Sequence, residues 1–310
     1  MHHLKLTETL TAKLARGGSI EVLCPLTVKD FLEVENVLML SHSHKISYWT
    51  GNNQEWIAPG QFLFVPSQRP ITITYGDPDV GMLVTYDTFL HHVPAYISKI
   101  RSTDLASGAT PHLSYLIFDA HVLDTVNLFA ALNSPVYRIE NDKLRTLLDY
   151  ILVENASPEN GTYFVRSKSM ELVAVELLRH IYNSQTGPRA LHLLDTCYKD
   201  RRFVNILTYI QNNLSKDLSN ATLANVGNIS KDYVGQYFKV LTQERAQYYV
   251  ENRRLEASVR LLRESTKNIN EIARAVGFKD TAYFCRRFKA RLGTKPSKTR
   301  EIVRVLSRAL

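Results

Sequence analysis

The residue pattern with the clearest chemistry lies near the C-terminus, in a segment predicted to be helical from about Thr281 to Leu292. Small residues on its outward side would let the backbone approach a DNA major groove, and the Arg286 guanidinium can donate two hydrogen bonds to guanine O6 and N7. Lys289 can contact a phosphate. We therefore interpret the segment as a recognition helix, whose candidate DNA contacts are Thr281, Ala282, Cys285, Arg286 and Lys289.

The residues just before this segment are those needed to position it. Residues 269–276 form a second helix-length segment, Gly277 suits a tight turn, Phe278 can fill the core beneath it, and Asp280 is a good N-cap. The result is a helix-turn-helix pattern. Its expected buried residues are Ile269, Ile272, Ala273, Val276, Tyr283, Phe284, Phe288 and Leu292.

The same pattern occurs about fifty residues earlier. Leu223-Ala224 corresponds to Ile272-Ala273, Asn228 takes the place of Gly277, and Ser230 takes the place of the N-cap. Tyr233, Phe238 and Lys239 match Tyr283, Phe288 and Lys289, and the outward positions are Lys231, Asp232, Gly235 and Gln236. Gln236 can pair with adenine N6 and N7. A long helix predicted from Arg245 to Arg263 would hold the two units at a fixed spacing, suited to two successive major-groove segments.

Charge supports a polyanionic partner for this region. The chain of 310 residues has a net charge of +8, but residues 201–310 carry 22 Lys/Arg against 9 Asp/Glu, whereas residues 1–200 carry 16 against 21. The basic excess is therefore confined to the segment with the two repeated patterns, as in a nucleic-acid-binding module joined to a different domain.

The preceding sequence predicts a separate β domain followed by helices. Residues 20–87 contain short β-rich runs separated by turn signals, typical of a small antiparallel barrel or sandwich. An apolar stripe in residues 142–154 (Leu144, Leu147, Leu148, Ile151, Leu152) and an apolar segment over 165–182 predict two helices. We expect an α+β protein with a domain over residues 1–185, a linker over 186–200 and an all-α domain over 201–310.

The C-terminal region resembles the AraC/XylS family of bacterial regulators. Residues 272–289 (IARAVGFKDTAYFCRRFK), followed by Gly293-Thr-Lys-Pro-Ser297 and Arg300, carry the likeness, which covers about 203–300. The resemblance implies a seven-helix domain that binds tandem major-groove sites in double-stranded DNA and activates transcription by contacting RNA polymerase. It places base contacts at Asp232, Gly235 and Gln236, and at Thr281, Ala282, Cys285 and Arg286.

Three departures from the family pattern accompany this resemblance. Thr299 stands where the family has an aromatic residue, and Gln243 stands where it has a glycine. Asp232 and Gly235 leave the first recognition helix with few long hydrogen-bond donors, so we expect it to discriminate bases less than the second.

The N-terminal region resembles the cupin-like domain of the same family through residues 56–66 (WIAPGQFLFVP). The resemblance implies that this domain senses a small-molecule signal, and that the stripe in 142–154 pairs two subunits. Regulation through a protein partner is the alternative.

A cupin-type metal-dependent enzyme with a DNA-binding tail is a further alternative. His42 and His44 would share one strand face, but a metal site needs further ligands, and the adjacent His91 and His92 are expected to open a helix, where they make awkward partners. We therefore expect no metal, no cofactor and no enzymatic activity.

Neither a signal peptide nor a transmembrane segment is expected, and the three cysteines show no disulfide or metal-ligand spacing. A cytoplasmic location fits. We interpret Cys285 as a small residue that allows close approach to DNA, not as a redox sensor.

Overall fold

The computed structural model describes residues 10–50, 53–67, 69–77, 81–101, 104, 109–122, 126–129, 136–156, 159–183, 199–242 and 244–301. The chain divides into two compact units. The N-terminal unit contains Leu10–His121 and Leu132–Gly187, and the C-terminal unit consists mainly of Pro188–Arg304. Most of the predicted linker lies outside the described residues, and the predicted domain bounds stay predictions.

Two β-sheets contain the strands that the structure describes. Their strands are β1 (Leu10–Val22), β2 (Leu26–Phe31), β3 (Asn36–Ser41), β4 (Ile46–Thr50), β5 (Asn53–Ile57), β6 (Phe62–Val65), β7 (Ile71–Tyr75), β8 (Met82–Thr85), β9 (Ile97–Ile100), β10 (Leu113–Val122), β11 (Val126–Asn127) and β12 (Tyr137–Ile139). One sheet has the order β12-β6-β3-β10-β1-β9, with β11 beside β10, and the other has the order β5-β4-β7-β2-β8. The pairing of β2 with β8 is parallel, whereas the neighbouring β2–β7 pair is antiparallel.

The core of this unit follows from apolar runs in the strands. Every residue of β3 and β6 is buried, so both faces of these strands are covered, as continuous apolar runs predict. Phe64 and Phe118 pack with their ring centroids 6.4 Å apart. The short strands predicted within residues 20–87 are present there as β2 to β8.

Four helices complete the described N-terminal unit: α1 (Tyr86–His91), α2 (Val93–Tyr96), α3 (Asp142–Ala156) and α4 (Thr162–Asn183). The predicted stripe on α3 exists, but Leu144, Leu148 and Ile151 are fully buried within the chain, where α3 packs against α4 and β1. The expectation that this stripe pairs two subunits is therefore wrong, because its apolar surface is already used by the core.

The C-terminal unit is helical, with α5 (Arg201–Asn212), α6 (Asn220–Gly227), α7 (Tyr233–Thr242), α8 (Ala246–Glu264), α9 (Ile269–Ala275) and α10 (Thr281–Leu292). Residues 296–301 are helical as well. Phe203, Leu223 and Phe238 lie in one apolar cluster formed by α5, α6 and α7. Among the described residues, no helix combines the length and apolar character needed to cross a membrane.

Candidate nucleic-acid interface

Helix α10 has the caps and the buried face that fix its orientation. Asp280 accepts a hydrogen bond from the Tyr283 backbone N–H at its start, and Gly293 ends it with φ +74°. Phe284 and Phe288 are fully buried, with ring centroids 5.6 Å apart. The burial of these two rings directs the opposite side of the helix to solvent.

The candidate DNA contacts on α10 lie together on that outward side. Ala282, Arg286 and Lys289 are exposed, and Thr281 and Cys285 are half-buried. The Thr281 hydroxyl donates a hydrogen bond to the exposed Asn270 side chain (2.8 Å). Burial raises the pKa of the Cys285 thiol, which favours the protonated thiol over the reactive thiolate.

Two adjacent arginines on α10 have different environments. Arg287 donates from Nε to Glu251 (2.7 Å) and is therefore tied to α8. Arg286 is exposed, with its guanidinium carbon 5.9 Å from the centre of the Tyr283 ring. The geometry leaves the Arg286 guanidinium available to a ligand outside the protein.

Tyr283 corrects the predicted buried set. Its side chain is 43% exposed, and its hydroxyl donates to Glu251 (3.1 Å). Tyr233 on α7 is similarly exposed, at 42%. The correspondence of these tyrosines in the repeat is real, but both lie at the edge of the apolar face, where a phenol keeps its polar end near water.

Helix α7 is built like α10, with different outward residues. Asn228 adopts the left-handed conformation (φ +49°) that Gly277 adopts in the second unit (φ +93°), and Ser230 accepts from the Tyr233 backbone N–H. Val234 and Phe238 are fully buried. The outward side consists of the exposed Lys231, Asp232, Gln236 and Lys239, with the half-buried Gly235 between them.

Helix α8 joins the two units through polar side chains one to two turns apart. Gln247 donates to the Leu218 carbonyl (2.9 Å), and Arg254 donates to the carbonyls of Leu214 (3.0 Å) and Lys216 (2.9 Å), all before α6. Glu251, between them in sequence, accepts from α10. One face of α8 therefore binds both helix-turn-helix units.

The turn of the second unit also approaches the first directly. A Cβ added at Gly277 would lie 2.1 Å from the Leu214 carbonyl oxygen and 2.9 Å from the Arg254 side chain. Only glycine fits this approach. The sequence predicted Gly277 for its backbone angle but not for this contact, because Leu214 is more than sixty residues away.

The prediction that His42 and His44 share one face of a strand is wrong. Both occupy the bend between β3 and β4, where His42 Nε2 lies 2.9 Å from Ser114 Oγ and His44 Nδ1 lies 2.9 Å from the Tyr75 hydroxyl. Within the described residues, no group of three or more His, Cys, Asp or Glu side chains could hold a metal ion.

The other histidine pair also differs from expectation. His91 ends α1, and His92 separates α1 from α2, so the pair does not open one helix. Both side chains hydrogen bond to backbone carbonyls four residues earlier, those of Asp87 and Thr88.

Comparisons with known proteins agree with this geometry. Residues 223–302 match the model of a helix-turn-helix domain family. YdeC of Bacillus subtilis (strain 168), an uncharacterized HTH-type transcriptional regulator, is 26% identical over 98 residues, which are 32% of this chain and 34% of YdeC. The C-terminal unit contains a helix-turn-helix domain, and the resemblance predicted from its sequence is confirmed.

A solved structure that matches nearly the whole chain shows likeness in fold. ToxT from Vibrio cholerae O395 has a TM-score of 0.52 and 8% identity, covering 96% of this chain and 98% of ToxT. A transcriptional regulator with an AraC-type DNA-binding domain from Chromobacterium violaceum is 20% identical, covers 34% of this chain and 96% of its own, and has a TM-score of 0.33. The predicted α+β class, with an N-terminal β domain and a C-terminal helical domain, is confirmed.

Proposed function

We propose that this chain is a sequence-specific transcriptional regulator that binds tandem major-groove sites in double-stranded DNA through α7 and α10. The observation that carries the proposal is the pair of capped recognition helices, each with its outward side open, joined to one face of α8. Such a frame would present both helices to one duplex at a fixed separation.

Within this proposal the outward residues have separate roles. Arg286 and Gln236 read base edges, Lys239 and Lys289 contact phosphates, and Gly235 lets the backbone of α7 come close to DNA. The remaining proposed contacts are Lys231, Asp232, Thr281, Ala282 and Cys285.

Salt dependence tests the DNA-binding proposal directly. Because residues 201–310 carry 22 Lys/Arg against 9 Asp/Glu, binding should weaken steeply with salt, each neutralised phosphate adding about −0.9 to the log–log slope. Lys239→Gln and Lys289→Gln should each reduce the slope by about that amount without changing base preference. An affinity nearly independent of salt would exclude the proposed mode of binding.

We further propose that the N-terminal unit receives a signal and that the protein acts in the cytoplasm as an activator contacting RNA polymerase. A small-molecule effector is the first choice, and a protein partner is the alternative. A thermal-shift screen that finds a stabilising metabolite would support the first, whereas a partner that co-purifies and alters DNA binding would support the second.

A homodimer is part of the proposal, with the outer side of α4 as its interface. Phe164, Leu172 and Tyr182 lie on one exposed side of this helix, Leu172 being 54% exposed. In an antiparallel pair of α4 helices, Phe164 would face Tyr182 of the second copy, and Leu172 would lie beside the two-fold axis, as an isologous interface requires. Leu172→Glu should yield monomers by sedimentation, and Glu154→Gln is the control; a wild type that is monomeric at high concentration would exclude this interface.

A further inference from the structure

A cleft of about 830 Å³ lies between the two helix-turn-helix units, apart from the outward sides of α7 and α10. One wall is formed by residues 215–219, which lead into α6, and the other includes residues 277–280, which lead into α10. Arg254 of α8 also lines it. Both walls lead into the N-termini of helices that belong to the helix-turn-helix units. The position of the cleft mouth relative to bound DNA therefore follows from the way those helices bind.

The general geometry of helix-turn-helix binding gives that relation. The first helix of such a unit crosses the DNA backbone, and the second enters the major groove with its N-terminal residues. Helix α6 is the first helix of one unit, and α10 is the second helix of the other. A duplex that runs from one recognition helix to the other therefore passes the two walls of the cleft.

The acidic residues of the cleft are occupied within the protein. Asp217 accepts hydrogen bonds from the hydroxyls of Thr222 (2.5 Å) and Ser219 (2.8 Å), and these bonds, together with the charge of Lys279, lower the pKa of its carboxyl. Glu251 is bound by Arg287, and Asp280 caps α10. These carboxylates are thus at least partly neutralised or held by local donors.

The basic residues of the cleft behave differently. Lys216, Arg274 and Lys279 are exposed, and no hydrogen bond or ion pair holds their side chains within the part of the chain that the structure describes, although the charge of Lys279 acts on the Asp217 carboxylate. Lys216 lies on one wall, and Lys279 lies on the other. The cleft therefore presents cations from both units to an anion at its mouth.

We propose that this cleft binds the phosphodiester backbone of the DNA segment between the two half-sites, with Lys216 on one wall and Arg274 and Lys279 on the other contacting phosphates. The inference rests on the proposed DNA-binding function and adds to it a contact that reads no bases. It would hold the duplex against both units while α7 and α10 occupy the grooves.

The test uses the full chain and a duplex selected by the wild type for tight binding. The Lys216→Gln/Lys279→Gln double variant is compared with Arg201→Gln/Lys29→Gln, which removes two exposed cations that do not line the cleft. Loss of two phosphate contacts should lower the magnitude of the log–log salt slope by about 1.8. The ratio of wild-type affinity to double-variant affinity should therefore fall about 12-fold between 50 and 200 mM salt. The control variant should retain a slope close to that of the wild type.

Ethylation interference locates the effect on the DNA. Ethylation of phosphates between the half-sites should weaken binding of the wild type and of the control much more than binding of the cleft variant, which keeps only Arg274 of the three cations, while base preference stays unchanged. An interference pattern shared by all three proteins would overturn the cleft proposal alone. Failure of the wild type to enrich any duplex would instead overturn the proposed function and this inference together.

Discussion

Arg254 should control how strictly the two recognition helices keep their spacing. Its guanidinium donates from Nε to the Leu214 carbonyl (3.0 Å) and from Nη2 to the Lys216 carbonyl (2.9 Å), joining α8 to the segment before α6. Hydrogen bonds from charged donors contribute about 1.5–3 kcal/mol each. Because Arg254 is half-buried, we expect Arg254→Met to remove about 2 kcal/mol of coupling between the units in total.

The assay is binding to duplexes with one or two base pairs inserted between the half-sites. Each inserted base pair moves the second half-site by about 3.4 Å and turns it by about 35°, which a rigid pair of units cannot follow. The loss of affinity on insertion should therefore be up to about 30-fold smaller in Arg254→Met than in the wild type.

Arg254→Lys is the matched control, because it keeps the charge and one donor and should give an intermediate spacer profile. For each protein, the measured quantity is the ratio of its affinity for the original duplex to its affinity for the duplex with inserted base pairs. A general loss of DNA affinity therefore does not affect the comparison. Identical spacer profiles for Arg254→Met and the wild type would refute the role of Arg254 as a positioning residue.

Three further predictions concern Arg286, Gly277 and His42. Arg286→Ala should cost about 1–3 kcal/mol of binding and relax base preference at one position, more than Gln236→Ala does, in a binding-site selection with each variant; the reverse order would make α7 the main reader. Gly277→Ala should lower the urea midpoint of unfolding markedly, because φ is +93° and the new Cβ would meet a backbone carbonyl. Gly235→Ala is the control, because open space surrounds that position; equal midpoints for the two variants would contradict the close approach at Gly277. Burial lowers the pKa of His42 below its unfolded value of about 6.5, so its contribution to stability is fully present above that value and is lost as the pH falls from it through the lower pKa of the folded state. His42→Gln should flatten this dependence below about pH 7.5, and an unchanged slope of stability against pH would count against it.

The second helix-turn-helix unit could be predicted because its signals are local. Gly277 and Asp280 occupy fixed positions in a turn, and the spacing of Ile272, Phe284 and Phe288 follows the helical period. The first unit could be recognised even though its turn uses Asn228, since asparagine tolerates the same backbone angle.

Contacts between distant segments could not be predicted in the same way. Arg254 binds backbone carbonyls about forty residues away, and Glu251 binds Arg287 more than thirty residues away, so neither contact leaves a periodic pattern. Strand β1 was missed because its central Arg16-Gly-Gly18 run interrupts the apolar pattern, and its place depends on pairing with β9. The exposure of Tyr283 likewise depends on where α8 places Glu251.

The central claim is that α7 and α10 read one duplex together. The most direct measurement is a binding-site selection with the full wild-type chain from a random DNA library. Joint reading by both helices predicts two enriched half-sites with centres about one helical turn apart, roughly 10–10.5 base pairs, and the half-site read by α10 should be the more sharply defined. Enrichment of a single half-site, or of two half-sites at freely varying spacing, would contradict it.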